Sequence, residues 1–166
     1  MNVKVGLSLY LLLVLTACSK SDLSEQVAFY ALRDFETDGP YRIEENSAKI
    51  GNEILIPYSD LQWYNSTKHS FAISESLSRQ IDIGLNSTGY FKKPFAVAIG
   101  KEIIYTGYFW SALSSTGCDW TTAIPLGPEL LIQLSYPGPI DGVVVPDRRN
   151  DHRILEIFRR DGKLVE

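Results

Sequence analysis

Apolar and polar residues alternate over a long central stretch of the chain, which is typical of strands. Apolar side chains share one face of residues 95–99, and residues 103–110 form the matching return strand. Between them, Gly100-Lys101 places glycine first in a two-residue turn, as a type II′ hairpin turn prefers. The pattern therefore predicts an antiparallel β-hairpin at this point.

Other short apolar runs predict further strands, which prolines and glycines keep short. Residues 34–47 are polar and contain Asp38-Gly39-Pro40, so they predict a loop. Residues 62–64 are expected to be extended or irregular. The remaining predicted strands cover residues 27–32, 53–56, 69–73, 120–124 and 129–135.

Two segments have the spacing of amphipathic helices. The first begins at Ser74, whose side chain can cap it, and has an apolar stripe over residues 77–85. The second is expected to start at Pro146-Asp147 and to end at Gly162. Together the elements predict a single α+β domain over residues 27–166, with a mostly antiparallel sheet of about six strands and two helices packed on it.

The first apolar run of the chain has a different character. Lys4 precedes residues 5–14, which are almost wholly apolar. A positive charge, a short apolar core and small residues before a cut site are typical of a secretory signal. The run is shorter than the roughly 20 residues that a permanent membrane-spanning helix needs.

Leu15-Thr16-Ala17-Cys18 follows this run. The four residues resemble a bacterial lipobox, in which the cysteine receives a diacylglyceryl group and becomes the new N-terminus after cleavage. The resemblance implies that Cys18 is lipidated, that residues 1–17 are a signal peptide, and that residues 18–26 form a lipidated cysteine with a polar tether. The alternative is an ordinary cleaved signal with a coincidental cysteine, which leaves a secreted protein.

Lipidation would tie the domain to a membrane that it does not span. Bacterial lipoproteins carry three acyl chains, and two or more chains give a stable anchor. Ser19 follows the cysteine, whereas an Asp there marks inner-membrane retention in Gram-negative lipoproteins. The resemblance thus implies a cell-envelope protein that is anchored in the outer membrane and faces the periplasm.

Charge and cysteine content narrow the function classes further. The chain has 16 basic and 20 acidic residues and a net charge of −4, which argues against a nucleic-acid partner because such a partner needs a clustered basic face. The basic cluster between Arg148 and Arg160 is interleaved with acidic residues, which is typical of a solvated helix face. The two cysteines are Cys18 and Cys118, so lipidation of the first leaves no disulfide framework.

The order strand, loop, strand-into-helix is followed by the hairpin Phe95-Ala96-Val97-Ala98-Ile99-Gly100-Lys101-Glu102-Ile103-Ile104. Over residues 27–115 this order resembles a periplasmic head domain of the SecD protein-export subunit. The turn departs from that family, which has Asp-Gly where this chain has Gly100-Lys101. The segment 105–120 is similar to that of uncharacterised envelope lipoproteins. The resemblance implies a fold and no activity.

One segment after the hairpin concentrates aromatic, hydroxyl and thiol side chains. Loops held by a rigid strand are common places for binding residues. The segment could form a groove that grips a peptide or a sugar, or its rings could fill the sheet while its hydroxyls bond to the loop backbone. The candidate binding residues are Tyr108, Trp110, Ser111, Ser114, Ser115 and Trp120.

Catalytic and metal chemistry have weaker candidates. Cys118 could be a nucleophile with His69 or His152 as its base, although free cysteines are more often small buried residues. Asp147, Asp151 and His152 offer metal-ligand atoms, but the two aspartates also fit helix caps. No metal-site spacing and no cofactor or catalytic-serine motif occurs, so neither a metal nor a cofactor is predicted.

The sequence thus favours a membrane-anchored, non-catalytic envelope lipoprotein that binds an envelope protein or peptide through the segment around Trp110 and Trp120. Two alternatives stay open. One is an envelope enzyme that uses Cys118. The other is a structural lipoprotein that pairs with a partner strand through an exposed sheet edge.

Overall fold

The structure is a computed structural model that describes residues 26–87 and 89–166. The predicted signal peptide, the lipobox with Cys18 and the tether up to residue 25 lie outside the described residues and stay predictions. The described chain is an α+β domain with two helices on a single mixed sheet of nine strands. Neither helix of this described part is long and apolar enough to cross a membrane.

The chain runs through four strands, a helix, four more strands, a second helix and a last short strand. The strands are β1 (Val27–Asp34), β2 (Lys49–Ile56), β3 (Leu61–Asn65), β4 (Ser70–Ile73), β5 (Pro94–Ile99), β6 (Glu102–Phe109), β7 (Thr122–Leu126), β8 (Glu129–Gln133) and β9 (Leu164–Val165). The helices are α1 (Glu75–Asn86) and α2 (His152–Arg160). In the sheet the strands lie in the order β2-β1-β5-β6-β7-β8-β4-β3-β9.

The α+β class and the two helices are confirmed, whereas the sheet has more strands than the expected six or so. β3 covers the stretch that was expected to be extended or irregular, and β9 has only two residues, too few for a readable pattern. β9 pairs with β3 in parallel, and β6 pairs with β7 in parallel, so the sheet is mixed. Parallel pairs need long connections, and no local pattern encodes where those connections bring two strands together.

The predicted hairpin forms from β5 and β6, and Gly100 in its turn has φ +61°. That value lies in the left-handed region that glycine reaches without strain, as the first position of a type II′ turn requires. α1 begins as predicted, since the N–H of Leu77 donates to Ser74 Oγ at 3.4 Å. α2 begins later than expected because Asp151 is the residue that caps it.

The sheet coils around one apolar core. The rings of Phe29 on β1 and Phe71 on β4 have centroids 5.4 Å apart, although five strand steps separate β1 from β4 in the sheet. In a flat sheet these strands would lie about 24 Å apart at ~4.8 Å per step. Ile81 of α1 and Phe158 of α2 are fully buried in the same core, so both helices pack on the inner side of the coil.

The opposite face of the sheet carries a second apolar cluster, which contains Trp110 and which two loops cover. The loop between β1 and β2 contributes Tyr41 and Ile43, and the segment between β8 and α2 contributes Tyr136 and Val145. The candidate binding segment belongs to this outer cluster and not to the core inside the coil.

Gly107 lies on β6, next to the point where that strand meets β7. A Cβ there would lie 2.7 Å from Phe95 Cζ and 2.7 Å from the carbonyl oxygen of Thr121. Phe95 is fully buried, and the carbonyl belongs to the backbone, so neither neighbour can retreat easily. We expect Gly107→Ala to lower the free energy of unfolding by about 1–3 kcal/mol through overpacking, as measured by urea denaturation.

Gly138→Ala is the matched control for this substitution. A Cβ at Gly138 would have no atom within 4 Å, so the change in stability should stay within about 0.5 kcal/mol. Equal stabilities of the two variants would contradict the close approach of β6 to the neighbouring backbone.

Candidate binding surface

The structure buries the aromatic side chains of the predicted binding segment. Trp110 is 0% exposed, and Tyr108 and Trp120 are also buried. The indole N–H of Trp120 donates to Thr106 Oγ1 at 3.0 Å, inside the domain. An open groove lined by the two tryptophans is therefore not formed. The burial agrees with the alternative interpretation of the sequence, in which the rings pack against the sheet.

Two of the predicted serine hydroxyls bond to the backbone of their own loop, residues 111–117, which we call the 111–117 loop. The N–H of Leu113 donates to Ser111 Oγ at 3.2 Å. Ser114 Oγ donates to the carbonyl oxygen of Thr116 and accepts from its N–H, both at 3.1 Å. Such local bonds hold a loop in one shape. Ser115 remains exposed.

The 111–117 loop carries the most exposed of the large apolar side chains in the described chain, Leu113, which is 94% exposed. Two bonds from the outer cluster fix the loop beneath it. The indole N–H of Trp110 donates to the carbonyl oxygen of Thr116 at 3.2 Å, and the hydroxyl of Tyr136 donates to that of Ala112 at 2.7 Å. The buried rings therefore act as a support from which Leu113 projects into solvent.

Three rings surround the ammonium group of Lys92 beside this loop, an arrangement that we call the Lys92 cage. Lys92 Nζ lies 5.3 Å from the ring centroids of Tyr41 and Phe91 and 5.5 Å from that of Trp110. All three distances fall within the ~6 Å range in which a ring face attracts a cation. Tyr41 and Phe91 also pack on Trp110, with centroids 5.1 Å and 5.2 Å from it.

The backbone at Lys92 is held in an uncommon conformation, with φ +64°. A residue other than glycine pays on the order of 1 kcal/mol for this left-handed conformation. The N–H of Lys92 donates to the carbonyl oxygen of Phe109 at 2.9 Å, and the N–H of Phe109 donates to that of Lys93 at 3.0 Å. These two bonds to the end of β6, together with the ring contacts, offset the strain.

Cys118 is 0% exposed, and its thiol donates to the carbonyl oxygen of Trp120 at 3.5 Å. Burial raises the pKa of the Cys118 thiol to about 12. A nucleophilic cysteine needs an accessible thiolate, which a lowered pKa would supply. Within the described chain neither His69 nor His152 is hydrogen-bonded to this thiol. The site is therefore unsuited to the thiol chemistry that the sequence left open.

We expect Cys118 to react slowly with iodoacetamide in the folded domain and rapidly once the domain is unfolded. At pH 8 a thiol with a pKa of about 12 is ionised in only about one part in 10⁴, and only the thiolate reacts. The reaction should accelerate as the pH rises toward that value. Mass spectrometry of a Cys18→Ser chain, in which Cys118 is the one remaining thiol, measures both rates. Rapid alkylation without denaturant would contradict the burial.

The arginines of the predicted basic cluster have acidic neighbours. Arg149 donates to both carboxylate oxygens of Asp147, at 2.9 Å and 2.7 Å, and these bonds lower the pKa of Asp147 to about 2. Asp147 thus holds Arg149, while Asp151 caps α2. The other pairs are Arg148–Glu45, Arg153–Asp151, Arg153–Glu102, Arg159–Glu166 and Arg160–Asp161.

The two aspartates that the sequence offers as metal ligands also bind arginines. Asp147 binds Arg149, and Asp151 caps α2 and binds Arg153. His152 Nδ1 lies 3.7 Å from Asp151 Oδ1 on the surface. Over residues 26–87 and 89–166, no three His, Cys, Asp or Glu side chains are grouped so that they could hold a metal ion.

The chain matches no protein-family model, no curated protein and no solved structure.

The sequence interpretation missed the Lys92 cage and the exposed Leu113. The cage is assembled from the loop after β1, the turn after α1 and the end of β6, so no local motif contains it. The run Phe91-Lys92-Lys93, one ring beside two cations, is the one local signal that could have drawn attention to it. The sequence gives no sign that Leu113 is exposed, because its exposure depends on hydrogen bonds that fix the backbone of the 111–117 loop.

Proposed function

We propose that this chain is a lipid-anchored cell-envelope protein whose folded domain binds an envelope protein or peptide and catalyses no reaction. Leu15-Thr16-Ala17-Cys18 behind a short apolar run supports the anchor. Residues 18–26 would extend for at most about 30 Å at ~3.4 Å per residue, so the domain would work next to the membrane surface. Ser19 after the cysteine supports the outer membrane, facing the periplasm.

One observation carries the binding proposal: the 111–117 loop is exposed, and its backbone is fixed. Leu113 projects from it at 94% exposure, while hydrogen bonds from Trp110 and Tyr136 hold the backbone below. A loop whose backbone is already fixed loses little backbone freedom when a partner covers it. The loop therefore offers an apolar anchor at a low entropic cost, with Ser115 as a polar neighbour.

The alternative of an envelope enzyme is disfavoured by the state of Cys118. The thiol is enclosed, and burial raises its pKa to about 12. A reaction at this sulfur would need the outer cluster to open and a base to approach. Tyr136, on one of the segments that cover the cluster, is itself hydrogen-bonded to the carbonyl oxygen of Ala112.

The alternative of pairing through a sheet edge is disfavoured by both edge strands. β2 shows three register shifts against β1, and bulged edges are poor templates for another strand. Lys49 and Glu53 on β2 are exposed charged residues, which further discourage strand addition. The opposite edge, β9, has two residues.

The anchor is tested by metabolic labelling with an alkyne analogue of palmitate. We expect the wild-type chain to incorporate the label and to sediment with membranes. Cys18→Ser should lose both the label and the sedimentation, because no other thiol occurs before Cys118. Labelling or membrane sedimentation that persists in Cys18→Ser would refute lipidation at this residue.

The binding surface is tested by photocrosslinking in cells. A photoreactive residue at Leu113 should yield one discrete adduct, because the fixed loop would meet its partner there. Ile83 on α1 is the matched control, since it is also an exposed apolar residue, at 68%. Leu113→Ser, monitored through a photoreactive residue at Ser115, should reduce adduct formation at least ten-fold without lowering the unfolding free energy.

Three results would count against the binding proposal. These are the absence of an adduct at Leu113, the same adducts at Leu113 and Ile83, and a full yield from Ser115 in the Leu113→Ser chain. Labelling of Cys18 is measured separately, so failure of the loop and failure of the anchor can be told apart.

A further inference from the structure

The Lys92 cage has the geometry of a cation-binding site, and a side chain of the same protein occupies it. Tyr41, Phe91 and Trp110 each place a ring centroid within 5.5 Å of Lys92 Nζ. The Tyr41 and Trp110 rings stand nearly perpendicular, at 83°, so the cation meets rings on more than one side. Aromatic cages of this kind are the sites at which proteins recognise methylated ammonium groups.

The rings alone hold the ammonium of Lys92. No residue among 26–87 and 89–166 accepts a hydrogen bond from Lys92 Nζ or forms an ion pair with it. Lys93, its neighbour in the chain, differs in this respect, because its Nζ lies 2.8 Å from Glu53 Oε1 as well as 5.4 Å from the Tyr90 ring. A primary ammonium is strongly hydrated and carries three N–H donors, so a site made of rings suits it imperfectly.

We propose that the Lys92 cage is a binding site for a quaternary ammonium group, and that Lys92 is a built-in occupant which this ligand displaces. The ligand exchanges one positive charge for another between the same rings, so the exchange preserves the cation–ring attraction. A quaternary ammonium has no N–H donor to leave unsatisfied, which gives it the advantage over Lys92.

An unsatisfied carboxylate next to residues of the outer cluster fits a cationic ligand. Asp119 Oδ1 is buried and accepts no hydrogen bond from the described residues. Asp119 Oδ2 lies 3.6 Å from the position that a Cβ of Gly39 would occupy, in the loop that supplies Tyr41. Asp119 lies between Cys118 and Trp120, which belong to the same outer cluster as the cage residue Trp110. The net charge of the chain, −4, favours the approach of a cation as well.

Titration with tetramethylammonium tests the displacement directly. The ε-CH₂ protons of Lys92 should resonate upfield in the free protein, because they lie among three rings, and should shift toward the position of a solvated lysine as the probe binds. The ε-CH₂ protons of Lys93 serve as the internal control and should not move. Lys92→Ala, which empties the cage, should bind the probe at least ten-fold more tightly than the wild type, while Lys93→Ala should bind it as the wild type does.

A second probe and a second variant separate binding from non-specific effects. tert-Butanol, a neutral molecule of similar shape, should not displace Lys92. Phe91→Leu removes the half-buried wall of the cage and should weaken binding of the probe in the Lys92→Ala background. Choline in solution and phosphatidylcholine vesicles then distinguish a free ligand from a lipid headgroup as the source of the ammonium.

Equal affinities of the wild type and Lys92→Ala, displacement by tert-butanol, or unchanged Lys92 resonances at saturating probe would each overturn the proposal. None of these measurements requires lipidation of Cys18 or a partner at the 111–117 loop. The cage can therefore be judged apart from the proposed function.

Discussion

The coil of the sheet around its phenylalanine core determines where every other part of the domain lies. Phe29 and Phe71 meet at 5.4 Å only because the five strand steps between β1 and β4 bend the sheet back on itself. Both helices pack inside this coil, so the outer face has no helix to cover it. Apolar side chains on that face need other cover, since leaving them in water costs about 25 cal/mol per Å². The two long loops supply it.

This arrangement explains why the outer cluster is aromatic and also holds polar groups. A loop that lies against an apolar cluster needs hydrogen-bond partners for its backbone groups. Trp110 and Tyr136 combine large apolar rings with one N–H or O–H each, and those groups donate to carbonyl oxygens of the 111–117 loop. Trp110 thus fixes the exposed loop and also forms one wall of the Lys92 cage, while Tyr136 holds the loop at a second point. The contacts that pack the outer cluster therefore also hold the 111–117 loop in its exposed position.

The parts of the fold that depend on neighbouring residues in the chain were predictable from the sequence. The hairpin at Gly100-Lys101 and the capped start of α1 at Ser74 are local, and both are found as predicted. The parallel pairing of β6 with β7, the strand β9 and the coil of the sheet depend on contacts between distant segments, which periodicity does not report. The same limit applies to the candidate site. Tyr108, Trp110 and Trp120 lie in one cluster, but their burial and the approach of Lys92 follow from the covering loops, which no local pattern reports.

Trp110 supports both the 111–117 loop and the Lys92 cage, and this determines which variants can test the two proposals separately. Its ring is 0% exposed, it donates to the 111–117 loop, and it faces the cation of Lys92. Replacing Trp110 would therefore disturb packing, loop shape and cage together, and loss of function in such a variant would not identify the cause. Leu113 and Lys92 each take part in only one of these roles, because one side chain points into solvent and the other is held by ring contacts alone. The structure thus separates the loop from the cage at these two residues, although the same tryptophan supports both.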